Sequence, residues 1–536
     1  MGEQAFDVII IGAGHNGLVC AGYLARAGLS VKVLEARSVV GGAAITEEFH
    51  PGFRNSVFSY VVSLLHPAVI EDLELKRHGL TIVERTAGHF NALPDGDYLA
   101  ISRDPTQVAR ELARFSEADA NAYGEFDRRL TEAGRALRAL VLDPPPNLGG
   151  GLRDFLTVLS AGNRLRKLES DIQAELAKLM TMSIGDYLDG WFESDPVKGD
   201  FGYEGAIGNF VGPYQAGSAY VLLHHLFGET NGNIGAWGHA IGGMGAITQA
   251  MASSASERGA AIETDAPVAE VLSETDRVTG VVLQDGRVIK ARSVACSFNP
   301  KLLFTQMVDP ALLPADFARR MRNWRSASGT FRMNVALAEL PSFSCLKDIA
   351  DPASMLNGTI NICPSLDYLQ RAYDDARFRG WAQKPVISMC IPSTLDDTLA
   401  PEGRHVASLF CQHFNPDLPD GRSWDDVHGE VADLIVDTVD ALAPNFKASI
   451  IARQINSPLD IERTLGMTGG DIFHGALHLD QIYSLRPAPG YADHRSPIKG
   501  LYVCGSGSPP GGGVSGIPGR NAAKAVIRDL RRRNLG

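Results

Sequence analysis

No Cys-x-x-Cys pair occurs among the seven cysteines of this 536-residue chain, Cys20, Cys296, Cys345, Cys363, Cys390, Cys411 and Cys504. That absence excludes dithiol chemistry of the thioredoxin-reductase kind. An odd number of cysteines scattered through apolar segments reads as buried free thiols. No apolar run is long enough to span a bilayer, and no basic, apolar-cored leader precedes the first strand. The expected location is cytoplasmic, with any membrane contact made from the surface. Positive charge is in deficit. Against 62 Asp and Glu stand 50 Lys and Arg, a formal net charge of -12, which argues against a nucleic-acid partner. Metal-ligand spacing is also missing. His224 and His225 are adjacent and should point apart, and Gly469, Gly470 and Gly475 deny His474 and His478 a helix, so no metal is expected.

What the chain does have begins at Asp7. The run Asp7-Val8-Ile9-Ile10-Ile11 is an apolar strand that enters Gly12-Ala13-Gly14-His15-Asn16-Gly17, and residues 18–27 read as a helix. Gly12 permits a tight turn, Gly14 lets a pyrophosphate approach the backbone, and Gly17 lets helix and strand pack closely. Unpaired N–H groups and the positive dipole end of the helix then face the phosphates, with His15 and Asn16 in the same turn. A second strand, 30–34, ends on Glu35-Ala36-Arg37, where a carboxylate accepts hydrogen bonds from a ribose diol. Strand, glycines, helix, strand and acid in that order predict a dinucleotide site. Gly41-Gly42-Ala43 follows at once. A second glycine turn just past the ribose-binding acid favours FAD, because it lets the chain fold back over the pyrophosphate.

The far end supplies a partner for this motif. Residues 500–504 form a short apolar strand that opens into Gly505-Ser506-Gly507-Ser508-Pro509-Pro510-Gly511-Gly512-Gly513-Val514-Ser515-Gly516, and a helix spans about 519–533. Backbone donors at that helix start are placed to stabilise charge on a reduced flavin ring. Between the two ends, 104–142 and 152–179 read as helices. Residues 246–257 read as a helix, followed by strands and by a hairpin turning at Asp285-Gly286. Strand-like runs recur at 330–337, 386–391 and 406–414. The expected fold class is α/β: a Rossmann-like FAD-binding domain split over 1–60, 232–301 and 453–536, with a second α+β substrate domain from 61–231 and 302–452. Residues 201–220, Gly-rich, aromatic and charged only at Glu204, suit a pocket wall or a packing segment equally.

Several motifs resemble the phytoene-desaturase and carotene-ketolase group of FAD oxidoreductases. They are Gly41-Gly42-Ala43-Ala44-Ile45-Thr46-Glu47-Glu48, Ser59-Tyr60-Val61-Val62-Ser63, Gly235-Ala236-Trp237-Gly238, Gly242-Gly243-Met244-Gly245, Ile472-Phe473-His474-Gly475-Ala476 and 501–523. The resemblance runs nearly end to end. It implies a two-domain flavoprotein of the amine-oxidase and phytoene-desaturase type with non-covalent FAD. It implies Glu35 on the adenosine ribose and Val268 on the adenine, with Gly505, Ser506, Gly513, Val514 and Gly516 along the ribityl chain and ring. Ala43 stands where flavin amine oxidases place Arg, which counts against a simple amine oxidase.

The chemistry expected is hydride transfer to flavin N5 from a lipophilic, polyene-like or fatty substrate, with His474 as the candidate catalytic residue and a structural histidine as its equal alternative. No second dinucleotide fingerprint is present, so oxygen, a quinone or a protein would reoxidise the flavin. A regulatory flavoprotein that binds respiratory partners and an amine oxidase are the rival readings. Peripheral membrane contact and a homo-oligomer stay open.

Overall fold

The computed structural model describes residues 5–85, 87–226 and 228–535. Its first sheet grows around the strand Phe6–Ile11. Val31–Leu34 lies parallel on one side of it and Val288–Cys296 parallel on the other. Ala261–Glu263 and Leu501–Val503 extend this parallel core outward. Strands from three distant parts of the chain thus make one sheet, which is why its members read as short apolar runs. Both faces are covered. Val8 and Ile10 pack toward the helices His15–Arg26, Gly245–Glu257 and Ile517–Leu535, and Ile9 and Ile11 pack toward Phe304, Phe317 and Trp324. Val288–Cys296 is long enough to leave the parallel core at its start. There it joins Arg277–Leu283 and Val268–Glu274 in an antiparallel meander.

The helix His15–Arg26 and the C-terminal helix Ile517–Leu535 come into backbone contact at Gly519. A Cβ on Gly519 would sit 2.1 Å from the Asn16 carbonyl oxygen, so only glycine allows this approach.

The second sheet runs in the order Ile450–Asn456, Thr330–Leu337, His405–Phe414, Trp381–Cys390, Thr359–Ile362, His89–Ala92 and Tyr98–Ile101. Its pairs are antiparallel except Thr359–Ile362 with His89–Ala92. One face carries Phe331, Met333, Val335, Leu409, Ile387 and Ile360 into a core with Trp424, Val431 and Ile435 of the helix Trp424–Asp440. That helix starts on a capping box, Ser423 with Asp426. The other face is polar, with Arg332, Asn334, Ser388, Ser408 and Gln412, and is equally buried.

Two details depart from the sequence reading. Ile450–Asn456 belongs to the second sheet, so the segment 453–536 begins inside a strand of that layer. Ile82–Glu84 pairs with Gly238–Ala240 and ties together segments assigned to different units. All seven cysteines are free thiols, six of them buried. Among the described residues no helix is long and apolar enough to cross a membrane, and no group of three or more His, Cys, Asp or Glu is arranged to hold a metal.

Candidate active site

The glycine turn after Phe6–Ile11 is held by strand-end hydrogen bonds. Ser297 Oγ donates to the carbonyls of Ile11 and Gly12 at 3.1 and 2.9 Å. Gly12 has φ +91°, a conformation that favours glycine, and a Cβ on Gly17 would lie 2.1 Å from the Gly12 carbonyl oxygen. Helix His15–Arg26 begins at Gly14 with no side-chain cap, which leaves its first N–H groups bare. Gly41 N–H donates to the Ala13 carbonyl at 2.9 Å, so the second glycine turn lies against the first. A Cβ on Gly42 would come within 3.1 Å of Gly14 Cα.

Glu35 is nearly buried and accepts two backbone bonds, from Ala13 N to Oε2 at 2.7 Å and from Arg37 N to Oε1 at 3.0 Å. Each oxygen keeps further acceptor capacity. Arg37 donates to Glu47 at 2.5 Å, and its Nη1 has no protein partner. Ala266 N–H donates to the Glu35 carbonyl at 2.8 Å, which sets Ala266, Pro267 and Val268 beside the acid.

At the C-terminal end a buried guanidinium organises the loop. Arg486 donates to the carbonyls of Ser506 at 2.7 and 3.0 Å, Phe473 at 2.7 Å and Gln481 at 2.9 Å. Asp471 accepts from Phe473 N and Gly475 N at 2.8 and 2.9 Å. Burial pushes the Asp471 carboxyl up to about 6, against the pull of those bonds and of Arg486, and draws Arg486 down to about 10. His474 sits between these anchors at φ +56°. Burial, reinforced by His15 and Arg486, lowers its imidazole to about 4, and its Nδ1 has no hydrogen-bond partner.

A cavity of about 580 Å³ connects these pieces. Of the residues singled out in the sequence, Gly12, Gly14, His15, Asn16, Glu35, Ala36, Arg37, Gly42, Ala43, Val268, His474, Ser506, Gly513 and Val514 line it. Gly17, Gly41, Gly505 and Gly516 stand behind the wall and act through packing. A Cβ on Gly505 would meet the Ser297 carbonyl at 2.2 Å, and one on Gly516 would press Val19 and Val69 at 3.1–3.2 Å.

A second group of lining residues carries no carboxylate or guanidinium: Tyr60, Val61, Leu64, Ile207, His225, Trp237 and Phe410. The stretch 201–220 contributes only Ile207 to the wall, and its Tyr203, Ala206 and Tyr220 are packed in the interior. Met333 lies in the apolar core under the helix Trp424–Asp440.

Two features of this group were not read from the sequence. His224 and His225 have different neighbours. His224 Nε2 lies 3.1 Å from the Gly512 carbonyl, while His225 lines the cavity with Glu204 Oε2 3.4 Å from its Nδ1. Glu204, the lone charge of its stretch, is thus the partner of a cavity histidine. Arg332 lies behind the wall, 4.6 Å from the Tyr60 ring centre and 5.5 Å from that of Phe410. Its Nη2 donates to Ser408 Oγ at 2.7 Å, and Nε and Nη1 have no partner.

A split parallel sheet with a double glycine turn, a ribose-type acid and a cavity between two layers defines a flavin-dependent oxidoreductase. Residues 17–331 match the family described as flavin containing amine oxidoreductase. The chain belongs to that family. It is 41% identical to the pyridine nucleotide-disulfide oxidoreductase domain-containing protein 2 of Rattus norvegicus, over 99% of this chain and 94% of that one. It is 26% identical to a lycopene-forming phytoene desaturase of Paracoccus sp., over 98% of each. In fold it is similar to the cyclohexylamine oxidase of Brevibacterium oxydans, with a TM-score of 0.58 at 16% identity, covering 98% of this chain and 100% of that one. FAD is the cofactor, and the chain is an FAD-dependent oxidoreductase.

Proposed function

We propose that the cavity holds FAD beside the glycine turns and admits a neutral, lipophilic substrate against Tyr60, Ile207, Trp237 and Phe410. The residues fit the cofactor. Bare N–H groups at Gly14 and the touching glycine turns suit the pyrophosphate. Glu35 has acceptor capacity left for the ribose, Val268 lies beside it for the adenine, and Ser506, Gly513 and Val514 border the flavin end. Asn16 Oδ1 and Arg37 Nη1, buried without protein partners, are further positions that a bound polar group would satisfy. When bound, FAD accepts a hydride from a substrate carbon.

The observation that carries the substrate reading is Arg332. Its guanidinium lies 4.6 Å from the Tyr60 ring centre and 5.5 Å from that of Phe410, and among the described residues it forms no ion pair with a carboxylate. Taking ~8 Å between the charges and an effective dielectric of ~20, Arg332 would repel a substrate ammonium at those rings by about 2 kcal/mol, an effect that the Glu204 carboxylate beside His225 offsets in part. The same rings accept a hydrocarbon without penalty. The relative named as a phytoene desaturase supports this reading, and Ala43 adds to it. His225, with the Glu204 carboxylate 3.4 Å from its Nδ1, is our candidate to take a proton from the substrate carbon next to the one that gives up hydride. His474 then serves the cofactor side of the cavity. Oxygen, a quinone or a protein accepts the electrons.

Ile207→Arg tests the assignment. It should keep FAD yet abolish flavin reduction by every lipophilic compound that reduces the unaltered protein. Full retention of that reduction would refute the placement.

A further inference from the structure

We propose that the helix Leu152–Arg166 docks the protein on a lipid bilayer that carries anionic headgroups. Among the described side chains of this helix none is buried. Leu152 is 75% exposed, Phe155 57%, Leu156 55%, Val158 52% and Leu159 51%, and Leu148 in the preceding loop is 54% exposed. These are six of the twelve large apolar side chains exposed among the described residues, gathered within twelve positions. Singly scattered apolar residues need no explanation, but a contiguous cluster does.

The spacing 152, 155, 156, 159 puts four of them on one helical face. The helix is nevertheless tied in place. Asp154 accepts from Asn147 N at 2.8 Å, and Arg164 donates to the Ala139 carbonyl at 3.3 Å. An amphipathic helix normally turns its apolar face inward, and this one presents it to the outside.

Charge identifies the occupant. Residues 143–167 hold four basic side chains, Arg153, Arg164, Arg166 and Lys167, against two acidic ones, Asp143 and Asp154, in a chain whose net charge is -12. Arg164, Arg166 and Lys167 are exposed at the helix end. An apolar face with a basic edge matches a bilayer surface, where apolar side chains enter the acyl boundary and cations meet headgroup phosphates. A second copy would set the same basic edge against itself, within a pair of acidic molecules. The position also suits delivery of substrate. The preceding helix Glu117–Val141 ends on Val141, which packs with Ile517 and with Leu64 of the cavity wall. The inference rests on the lipophilic-substrate reading for its purpose, and on exposure and charge for its existence.

The test is co-sedimentation of the FAD-loaded protein with phosphatidylcholine vesicles, with and without phosphatidylglycerol. The unaltered protein should bind, and more tightly to the anionic vesicles. The combined variant L152Q, F155Q, L156Q and L159Q should bind at least about tenfold more weakly, with unchanged flavin spectrum and melting temperature, because the replaced side chains face solvent. Charge reversal at Arg164, Arg166 and Lys167 should remove the preference for phosphatidylglycerol. No vesicle binding, or equal binding by the Gln variant, overturns the proposal. A concentration-dependent dimer that the Gln variant loses, without vesicle binding, overturns it in favour of a second copy. Flavin reduction by detergent-dispersed lipophilic compounds is measured separately, so failure of the substrate reading remains distinguishable from failure of docking.

Discussion

Replacing Glu35 by Gln probes the acid proposed to face the cofactor ribose. In the structure both carboxylate oxygens are engaged, Oε2 by Ala13 N at 2.7 Å and Oε1 by Arg37 N at 3.0 Å. An amide offers one oxygen. Its NH2 must then face one of the two N–H groups, so one bond is lost and a donor is stranded in a nearly buried place. The diol bonds of the ribose lose their charge assistance at the same time. Hydrogen bonds to a charged group contribute about 1.5–3 kcal/mol each. At about 1.4 kcal/mol per factor of ten, the Kd for FAD should rise roughly 10- to 100-fold. Fluorescence titration of the apoprotein measures it. FMN, which lacks the adenosine ribose, should bind both proteins alike and so reports whether the loss is local. An FAD affinity within about twofold of the unaltered protein, or an equal loss for FMN, would refute the reasoning.

Arg332→Met removes a buried cation that forms no ion pair with a carboxylate among the described residues. It should fold at least as stably, because apolar replacements of buried ions are often neutral or stabilising, and it should bind alkylamines roughly tenfold better. Calorimetry and amine titration decide this, and a large loss of stability would count against an unbalanced charge at that position. His225→Gln and Glu204→Gln should slow anaerobic flavin reduction by about 10²- to 10⁴-fold for the former and less for the latter, with FAD content unchanged. Equal rates would remove His225 from the chemistry. Burial holds His224 and His413 near about 3 and His494 near about 4. In the unfolded chain these imidazoles titrate near ~6.5, so their neutral burial stabilises above that pH and is lost as pH falls toward ~4. Each group contributes a slope of about 1.4 kcal/mol per pH unit in that window, and Asp471, pushed up to about 6, opposes one of the three. Urea midpoints should fall steeply between pH 6.5 and 4.5, and a flat profile would contradict the assigned burial.

The half of the site proposed for the cofactor was legible because its information is local. Gly12, Gly14, Glu35 and Gly42 lie within a few turns of one another along the chain, and the backbone conformation each requires is a property of its residue type. The substrate half was not. Tyr60, Ile207, His225, Trp237 and Phe410 come from five separate segments, and no spacing links them. The alternation in Thr330-Phe331-Arg332-Met333-Asn334-Val335 was visible, but such a pattern ordinarily marks a strand with one solvated face. Here the polar face closes on the other layer. Asn334 donates to the Ser56 carbonyl at 3.1 Å, Asn55 to that of Ala407 at 3.3 Å and Gln412 to that of Ala206 at 3.0 Å. Those polar side chains satisfy backbone groups in segments distant along the chain, a demand that no single segment announces. The stretch 201–220 was ambiguous for a related reason. Its missing charges reflect burial against neighbouring helices, and only Ile207 reaches the cavity.

The most direct test is anaerobic mixing of the FAD-loaded protein with matched reductants, following the flavin's visible absorbance. A detergent-dispersed polyene and a monocyclic terpene stand against putrescine and cyclohexylamine. The account predicts bleaching by at least one of the hydrocarbons and none by either amine at equal concentration. Rapid bleaching by the amines, with no response to any hydrocarbon, would contradict it.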